Sequence, residues 1–206
     1  SVIPFAPTNI NLNKQEKFGS YKELKFKNYF IVCNKFWKHK NHIVVLKAFN
    51  IYKKRGGKNN LLFTGEYKDP RSEKVINEIK KYIYQNKLSN FVEISGRIKK
   101  NIQLNLLNKS EALIQPTLFE GGPGGGSVYD AISLDVPVIL SNIEVNREIK
   151  YNKTLFFNPY DYKELYKNLV YIEKKLFKNQ HKKYFKKKSL LIKKCGNFLV
   201  NKFINI

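Results

Sequence analysis

The first group of residues that could bind a ligand is a basic loop between a short apolar run and an amphipathic segment. The loop extends from Cys33 to His42 and contains Lys35 and Lys40, with Asn34 near its start. Backbone N–H groups at a helix N-terminus favour an anion, and lysines beside them strengthen that preference. The loop therefore suits a diphosphate, although an exposed basic turn covered by Trp37 is an alternative interpretation.

A second candidate site is a glycine-rich stretch with a carboxylate on each side. Five of the six residues from 121 to 126 are glycine, Glu120 precedes them and Asp130 follows. Glycines let the backbone approach a ligand closely and turn its amides toward oxygen atoms. The stretch lacks the lysine of a P-loop and the third glycine of a dinucleotide fingerprint. We expect it to be ordered around a ligand rather than to form a flexible turn, because ordering so many glycines costs conformational entropy.

The pair Gly96-Arg97 is a third and weaker candidate, for which a turn glycine followed by a solvent-facing arginine is the simpler interpretation. The three histidines, His39, His42 and His181, are too scattered to form a metal-ligand set. No Ser/His/Asp catalytic arrangement can be proposed from spacing. The sequence therefore implies no metal.

Predicted secondary-structure elements place all three candidates at strand ends. Short β-branched or aromatic runs alternate with longer amphipathic ones. The predicted strands cover 29–32, 61–64, 91–95, 112–115, 138–140 and 155–157, and the predicted helices cover 42–54, 71–84, 102–107, 127–133 and 163–176. Strict alternation predicts an α/β fold, a doubly wound, Rossmann-like parallel sheet with helices on both faces, plus a C-terminal helix. Ligands of such sheets bind beyond the carboxyl ends of the strands.

The formal charge of +23 is carried by lysine rather than arginine. The chain has 35 Lys and 4 Arg, and Arg is the residue that makes bidentate contacts to bases and phosphates, so a nucleic-acid partner is not favoured. Residues 174–206 hold 11 Lys and no Asp or Glu. This basic tail has three interpretations, namely a solvated helix face, a contact with anionic lipid headgroups and a nucleic-acid contact.

Several classes of protein are disfavoured by what the sequence lacks. No stretch is long and apolar enough to span a bilayer, and the first residues do not form a secretory signal. Cys33 and Cys195 belong to no metal or disulfide pattern and suit a reducing cytoplasm. The chain contains no Met, so we expect a fragment or an excised domain.

Four segments carry a resemblance to a known family. They are residues 30–49 (strand, basic loop and helix), 94–122 (strand, glycine turn, helix and Pro-Thr-Leu-Phe-Glu-Gly), 131–141 (with Val-Pro-Val-Ile) and 155–165 (Leu-x3-Pro-x-Asp-x3-Leu). In this order they resemble the carboxyl-terminal, donor-binding domain of family 4 (group 1) retaining glycosyltransferases, which have a two-domain B-type fold. The resemblance extends from roughly residue 2 to residue 173.

The resemblance implies a metal-independent hexosyltransferase without a cofactor, whose substrate is a nucleotide-diphosphate sugar such as a UDP- or GDP-hexose. Its implied catalytic residues are Lys35 and Lys40, which would neutralise the diphosphate, and Glu120, which would hold hydroxyls of the donor sugar. Lys35 stands where the family usually has Arg. Lysine keeps the positive charge but cannot make the two parallel hydrogen bonds of a guanidinium group. Glu120 and Asp130 are ten positions apart, whereas the family's two carboxylates are usually eight apart.

The implied donor-binding residues come from all three strand ends. Asp130 would take the ribose hydroxyls, the amides of Gly121 and Gly122 would approach the sugar and phosphate, and Arg97 would lie beside the base. Gly96, Asn34 and Thr117 complete the implied donor site.

The implied organisation has three parts. Residues 1–27 would form a hinge strand and linker, 28–173 the donor-binding domain and 174–206 a basic helical tail. The further partners are a glycan or lipid-linked glycan acceptor, a missing amino-terminal acceptor domain and an anionic membrane, at the inner face of the cytoplasmic membrane. The alternative is a catalytically degenerate basic adaptor that docks on anionic membrane or RNA through residues 174–202.

Overall fold

Six strands alternate with five α-helices in residues 24–175, the part of the chain that the computed structural model describes. The strands are β1 (Tyr29–Cys33), β2 (Asn60–Thr64), β3 (Val92–Gly96), β4 (Ala112–Gln115), β5 (Val138–Ser141) and β6 (Thr154–Phe157). The α-helices are α1 (His42–Lys54), α2 (Glu73–Gln85), α3 (Lys100–Lys109), α4 (Gly125–Ser133) and α5 (Tyr162–Lys175). Short 3-10 helices cover Lys38–Lys40, Pro70–Ser72 and Glu144–Glu148.

The strands form one sheet in the order β3-β2-β1-β4-β5-β6, and every neighbouring pair is parallel. The chain moves outward from β1 through β2 and β3, and then crosses to the other side of β1 with β4. This is the strand order of a doubly wound, Rossmann-like sheet. The predicted fold class is confirmed.

Alternate residues of the strands face two separate hydrophobic cores. In β1, Phe30 and Val32 join a core with α1, α2 and α5, while Tyr29 and Ile31 join a core with α3 and α4. All four side chains are at most 1% exposed. Burying each large apolar side chain contributes roughly 1.5–3 kcal/mol. Helices therefore cover both faces of the sheet, and the carboxyl ends of the strands are where a ligand can approach.

Two predicted helix boundaries beside the candidate sites are wrong. Helix α4 begins at Gly125 rather than at residue 127, because Gly124 takes a left-handed conformation (φ 62°) and the helix starts directly after it. Helix α3 covers Lys100–Lys109 rather than 102–107, so Lys100 is its first residue. The start of α4 was predicted too late because glycine has a low helix propensity. The ends of α3 were missed because the residues there show no apolar periodicity.

The predicted hinge strand and most of the predicted basic tail lie outside the described residues. Inside them, Leu24 and Phe26 pack against the core of α3 and α4. Helix α5 ends at Lys175, one residue before the end of the helix predicted over 163–176. Among the helices of residues 24–175, none combines the length and the apolar character needed to cross a bilayer.

Candidate functional site

The switch point of the sheet lies between the carboxyl ends of β1 and β4, which are neighbouring strands. The loop after β1 leads to α1 on one face, and the loop after β4 leads to α4 on the opposite face. Loops that leave adjacent parallel strands in opposite directions leave a crevice between them, and ligands of doubly wound folds bind there. The basic loop (residues 34–41) and the glycine-rich loop (residues 116–124) border this crevice.

An ion pair joins the two loops. Lys40 Nζ donates a hydrogen bond to Glu120 Oε1, and the two side chains are only 13% and 14% exposed. The backbones are joined as well, since Leu118 N donates to His39 O at 2.7 Å. Thr117 Oγ1 lies 3.3 Å from the same His39 oxygen and 2.6 Å from Phe119 O. The first-loop lysine and the acid before the glycines, which the sequence predicts at the same edge, are therefore in contact.

A buried amide at the end of β4, Gln115, forms a hydrogen bond with the acid of this ion pair. Its Nε2 donates to Glu120 Oε1 at 3.0 Å and to Gly124 O at 3.1 Å, while its Oε1 accepts from Asn34 Nδ2 at 2.6 Å. Gln115 is 2% exposed, and a buried amide with partners for both ends is rigidly placed. Gln115 was not among the predicted site residues, although its place as a polar residue at the end of the apolar run Ala-Leu-Ile was a signal for it.

A second buried amide, Asn146, holds the glycine-rich loop from the side of β5. Asn146 Oδ1 accepts from Gly124 N at 2.9 Å, and its Nδ2 donates to Ser141 O at 2.9 Å. Ser141 Oγ in turn donates to Thr117 O at 2.6 Å. Asn146 and Ser141 are both fully buried. Both polar groups of the Gly124 backbone are thus satisfied by amide side chains, the N–H by Asn146 and the carbonyl by Gln115.

The glycines of the loop fall into two groups. A Cβ on Gly124 would lie 2.8 Å from Val128 Cβ, and its positive φ independently disfavours any other residue. A Cβ on Gly121 or Gly126 would meet nothing within 4 Å, so these positions are open. Gly125 begins α4 beside the Glu120 carboxylate, with its Cβ position 3.8 Å from Oε2. The N-terminal amides of α4 therefore lie next to the ion pair, where they favour an anion. Gly122 is partly buried within the same loop.

Lys35 contacts an aromatic ring of its own loop. Its side chain is exposed, and its Nζ lies 4.6 Å from the centroid of the Trp37 ring. The guanidinium of Arg71 also lies over that ring, at 4.4 Å. Lys40 therefore makes the contact with Glu120, while Lys35 is an exposed cation of the same loop, and its predicted catalytic role stays a prediction.

The residues predicted after β3 form a second cluster, on the α3 side of β1. Gly96 has a φ of 68°, and a Cβ there would lie 2.8 Å from Tyr67 Cε1. Arg97 is exposed and lines an open pocket of about 460 Å³ together with Ile98, Lys99, Lys100 and Gln103. Asp130, which is 1% exposed, pairs at 2.5 Å with Lys100, one of the residues that line this pocket. Lys100, like Gln115, was not among the predicted site residues.

Burial sets the protonation of the groups beneath these loops. His42 stacks on Phe36 at 4.5 Å, and burial, followed by the charge of Lys40, lowers the pKa of His42 to about 3. Burial and Lys40 also lower the pKa of His39. Burial raises the pKa of the Cys33 thiol to about 11, so this thiol is not an ionised nucleophile at neutral pH. At neutral pH neither histidine therefore adds a full positive charge to the basic loop.

No cluster of three His, Cys, Asp or Glu side chains that could hold a metal ion occurs within residues 24–175. The charged groups of the crevice are instead arranged as lysine–carboxylate pairs. Such a site can bind an anion through its cations and hydroxyl groups through its carboxylates.

The family of the chain follows from a comparison of its sequence with family models. The model described as glycosyl transferases group 1 matches residues 13–189. This chain belongs to that family. The match confirms the resemblance seen in the motifs, while the assignment to family 4 and the retaining stereochemistry stay predictions. No curated protein compared with the sequence matches it.

Solved structures of other proteins share the fold of this group 1 domain. Alr3699/HepE of Anabaena, crystallised with UDP, superposes with a TM-score of 0.72 at 11% identity, covering 87% of this chain and 50% of that one. A glycosyltransferase of Rickettsia africae ESF-5 gives 0.70 at 22% identity, covering 94% and 52%. The lipopolysaccharide outer core galactosyltransferase WaaB gives 0.65 at 20% identity, covering 98% and 56%. The chain thus spans about half the length of these proteins.

Proposed function

We propose that this chain is the donor-binding domain of a glycosyltransferase that takes a hexose from a nucleotide-diphosphate sugar and passes it to a cell-surface glycan acceptor. The observation that carries the proposal is the contact of Lys40 with Glu120 at the switch point of the sheet. This contact puts a cation suited to a diphosphate beside a carboxylate suited to sugar hydroxyls. Membership of the group 1 family and the UDP bound to the Anabaena protein support the proposal.

Lys40 would act on the leaving group. Negative charge grows on the diphosphate as the glycosidic bond breaks, so a fixed cation stabilises the transition state more than the ground state. One pair of unit charges 4 Å apart is worth about 4 kcal/mol at an effective dielectric constant of about 20, before desolvation. Lys35 would add a second, more distant cation. These charges support transfer without a metal ion.

Glu120 would orient the donor sugar. A carboxylate accepts hydrogen bonds from several hydroxyls, and these charge-assisted bonds are about twice as strong as neutral ones. Gln115 fixes the position of Glu120 through a 3.0 Å hydrogen bond. A bound diphosphate would share Lys40 with Glu120, and the amides at the start of α4 would lie on the other side of the phosphate. Gly121 and Gly122 would border the sugar because they carry no side chain.

Calorimetric titration of the purified chain with UDP, GDP and ADP tests the donor site. We expect one of these nucleotides to bind, with nucleoside monophosphates binding more weakly because they lack the second phosphate. Inorganic phosphate at the same concentration controls for unspecific attraction to a chain of net charge +23. Failure of all three nucleoside diphosphates to bind at millimolar concentration would contradict the proposal.

The acceptor side of the reaction would come from an amino-terminal domain of the two-domain fold. The purified chain should therefore bind donor without transferring sugar. Addition of a glycan or lipid-linked glycan acceptor to the chain with bound donor would check this. Sustained transfer by the chain alone would contradict this division of roles.

The lysines of residues 174–206 support a location at the inner face of the cytoplasmic membrane. Each lysine close to an anionic surface contributes about 1 kcal/mol, and this tail holds 11. Sedimentation with vesicles tests this location, because binding should require anionic lipid and should weaken when the chain is ended at residue 175. Equal binding by the shortened chain would contradict a role of the tail.

A further inference from the structure

The four segments that lead into strands β1 to β4 lie side by side at the edge of the sheet opposite the crevice. Backbone hydrogen bonds join them, from Asn60 N to Asn28 O (3.0 Å), from Leu61 N to Phe91 O (2.9 Å) and from Glu111 N to Tyr29 O (2.9 Å). We call this surface, made of residues 27–28, 54–59, 86–91 and 109–111, the amino edge. It is separate from the crevice, because five-residue strands such as β1 and β2 span about 16 Å.

Every exposed charged side chain on the amino edge is a cation. These side chains are Lys27, Lys54, Arg55, Lys58, Lys87 and Lys109. The one acid in the same ranges, Glu111, is half-buried. The crevice side differs, because exposed acids lie in the segments that follow β2, β5 and β6, namely Glu73, Glu144 and Asp161. The exposed charge is therefore mixed on the crevice side and of one sign on the amino edge.

Helix dipoles account for only part of this positive charge. Cations are favoured at the C-terminus of a helix, and Lys54 ends α1 while Lys109 ends α3. Lys27 and Lys58 instead lead into β1 and β2, outside any helix. All but one of the exposed cations are lysines, which lack the bidentate geometry that arginine offers to nucleic acids. A surface of lysines suits the headgroups of anionic lipids.

Two exposed aromatic rings border the amino edge at its β3 end. Tyr84, in the last turn of α2, is 81% exposed, and Phe91, directly before β3, is 36% exposed. The ammonium of Lys53 lies 4.3 Å from the centroid of the Phe91 ring. Aromatic side chains beside lysines are typical of protein surfaces at the lipid–water interface.

The basic tail starts from the same edge. Glu173, near the end of α5, accepts a hydrogen bond from Lys58 N at 2.7 Å, so α5 ends beside the segment 54–59. Residues 174–206, which hold 11 Lys and no Asp or Glu, follow from there. A membrane contact made by the tail would therefore bring the amino edge close to the lipid.

We propose that the amino edge is a docking surface for an anionic lipid bilayer and that the docked chain presents its crevice away from the lipid. The folded domain thereby adds a contact of its own to that of the tail. In this orientation the crevice side lies about 16 Å or more from the bilayer, beyond the Debye length of about 8 Å at physiological ionic strength. The amino edge lies outside the donor site, so docking and donor binding can fail separately.

Vesicle sedimentation of two triple variants of the full chain tests the docking surface. One variant combines Lys54→Gln, Lys58→Gln and Lys109→Gln on the amino edge, and its matched control combines Lys68→Gln, Lys74→Gln and Lys163→Gln on the crevice side. All six lysines are exposed, and each variant lowers the net charge of +23 by the same amount. On vesicles of phosphatidylcholine with phosphatidylglycerol, the amino-edge variant should bind about 100-fold more weakly than the unmodified chain, since each lysine at the surface is worth about fivefold. The control should bind less than about threefold more weakly.

Three outcomes of the sedimentation would overturn the proposal. Equal losses in the two variants would show that vesicles respond only to the net charge. Equal binding of the unmodified chain to vesicles with and without phosphatidylglycerol would show that anionic lipid is not recognised. A larger loss of affinity for single-stranded RNA than for vesicles in the amino-edge variant would assign the surface to nucleic acid instead.

Tryptophan fluorescence tests the orientation independently of those variants. Trp37 is the one tryptophan of the chain and lies in the basic loop at the crevice. On anionic vesicles that contain brominated lipid, which quenches tryptophan at short range, the emission of Trp37 should be unchanged. Tyr84→Trp places a second tryptophan beside the amino edge at an exposed position, and its emission should be quenched. Quenching of Trp37 in the unmodified chain, or no quenching in Tyr84→Trp, would overturn the proposed orientation.

Discussion

Lys40 and Glu120 form an ion pair although 80 positions separate them in the sequence. The contact exists because β1 and β4 are neighbours in the sheet while β2 and β3 lie on the far side of β1. Lys40 ends the 3-10 helix Lys38–Lys40, and Glu120 follows β4. The strand order alone therefore brings a cation of the first loop to the acid of the fourth, and the account of donor binding depends on this pair.

Replacing Lys40 by alanine should weaken binding of a nucleoside diphosphate by roughly 1.5–3 kcal/mol, about 10- to 150-fold, because one charged hydrogen bond is lost. Lys38→Ala is the matched control, since Lys38 belongs to the same 3-10 helix and is exposed. We expect it to change affinity by less than about 0.5 kcal/mol. Calorimetry on both variants measures the difference, and equal effects would remove Lys40 from the site.

Replacing Asn146 by alanine should destabilise the domain by about 1–3 kcal/mol. The variant leaves the N–H of Gly124 without its partner inside the fold. It also removes one hydrogen bond to the carbonyl of Ser141, which still accepts from Ile143 N. Asn142→Ala is the control, because Asn142 lies on the same segment but is exposed. Urea unfolding measures the free energy of unfolding of both variants. Equal values for Asn146→Ala and Asn142→Ala would show that Asn146 does not stabilise the glycine-rich loop.

Alanine should have opposite effects at two glycines of α4 and its cap. Gly124→Ala should cost about 2 kcal/mol or more, because a left-handed φ is unfavourable for alanine and its Cβ would meet Val128 at 2.8 Å. Gly126→Ala places its Cβ in open space on the helix. It should be neutral or stabilise by up to about 1 kcal/mol, because alanine has the higher helix propensity. Thermal melts that rank the two variants in the reverse order would contradict the loop geometry.

Stability should fall in acid in a way that depends on His42. The folded chain holds the pKa of His42 at about 3, while the unfolded chain has the ordinary value near 6.5, so the unfolded state binds the extra proton. This contribution to stability is intact above about pH 6.5 and is lost progressively between there and about pH 3, by up to about 1.4 kcal/mol per pH unit.

His42→Leu removes the titrating group while keeping an apolar side chain against Phe36 and Phe63. Its unfolding free energy should therefore decline less steeply between pH 6.5 and pH 4 than that of the unmodified chain. The carboxylates titrate in both proteins, so the difference between the two slopes isolates His42. Parallel slopes would show that the imidazole is not held neutral by the fold.

Much of the fold could be predicted from the sequence because the pattern is local. Buried runs such as Phe30 to Val32 alternate with amphipathic segments, and this alternation determines a parallel sheet without knowledge of any long-range contact. The left-handed turn at Asp135 (φ 59°) is also consistent with its local sequence, because Asp tolerates this conformation better than most residues and stands here between a helix and a strand. That Lys40 and Glu120 share one edge of the sheet followed from the same pattern.

The residues that hold the site together could not be predicted in this way. Gln115 and Asn146 act on Gly124 from different segments, and a buried amide in one sequence position does not reveal its partner in another. Lys100 could not be predicted for a different reason, because nothing in the sequence distinguishes it from the other lysines of a chain that contains 35. Its pairing with Asp130 depends on how α3 packs beside α4, which no local periodicity encodes.

The most direct test of the central claim is a crystal structure of the chain with its preferred nucleoside diphosphate bound. The account predicts the diphosphate between Lys40 and the first amides of α4, with a phosphate oxygen about 3 Å from Lys40 Nζ. It also predicts the nucleoside in the pocket lined by Arg97 and Lys100. A nucleotide bound elsewhere on the sheet, with Lys40 still paired to Glu120 and its phosphates in contact with other lysines, would contradict the account.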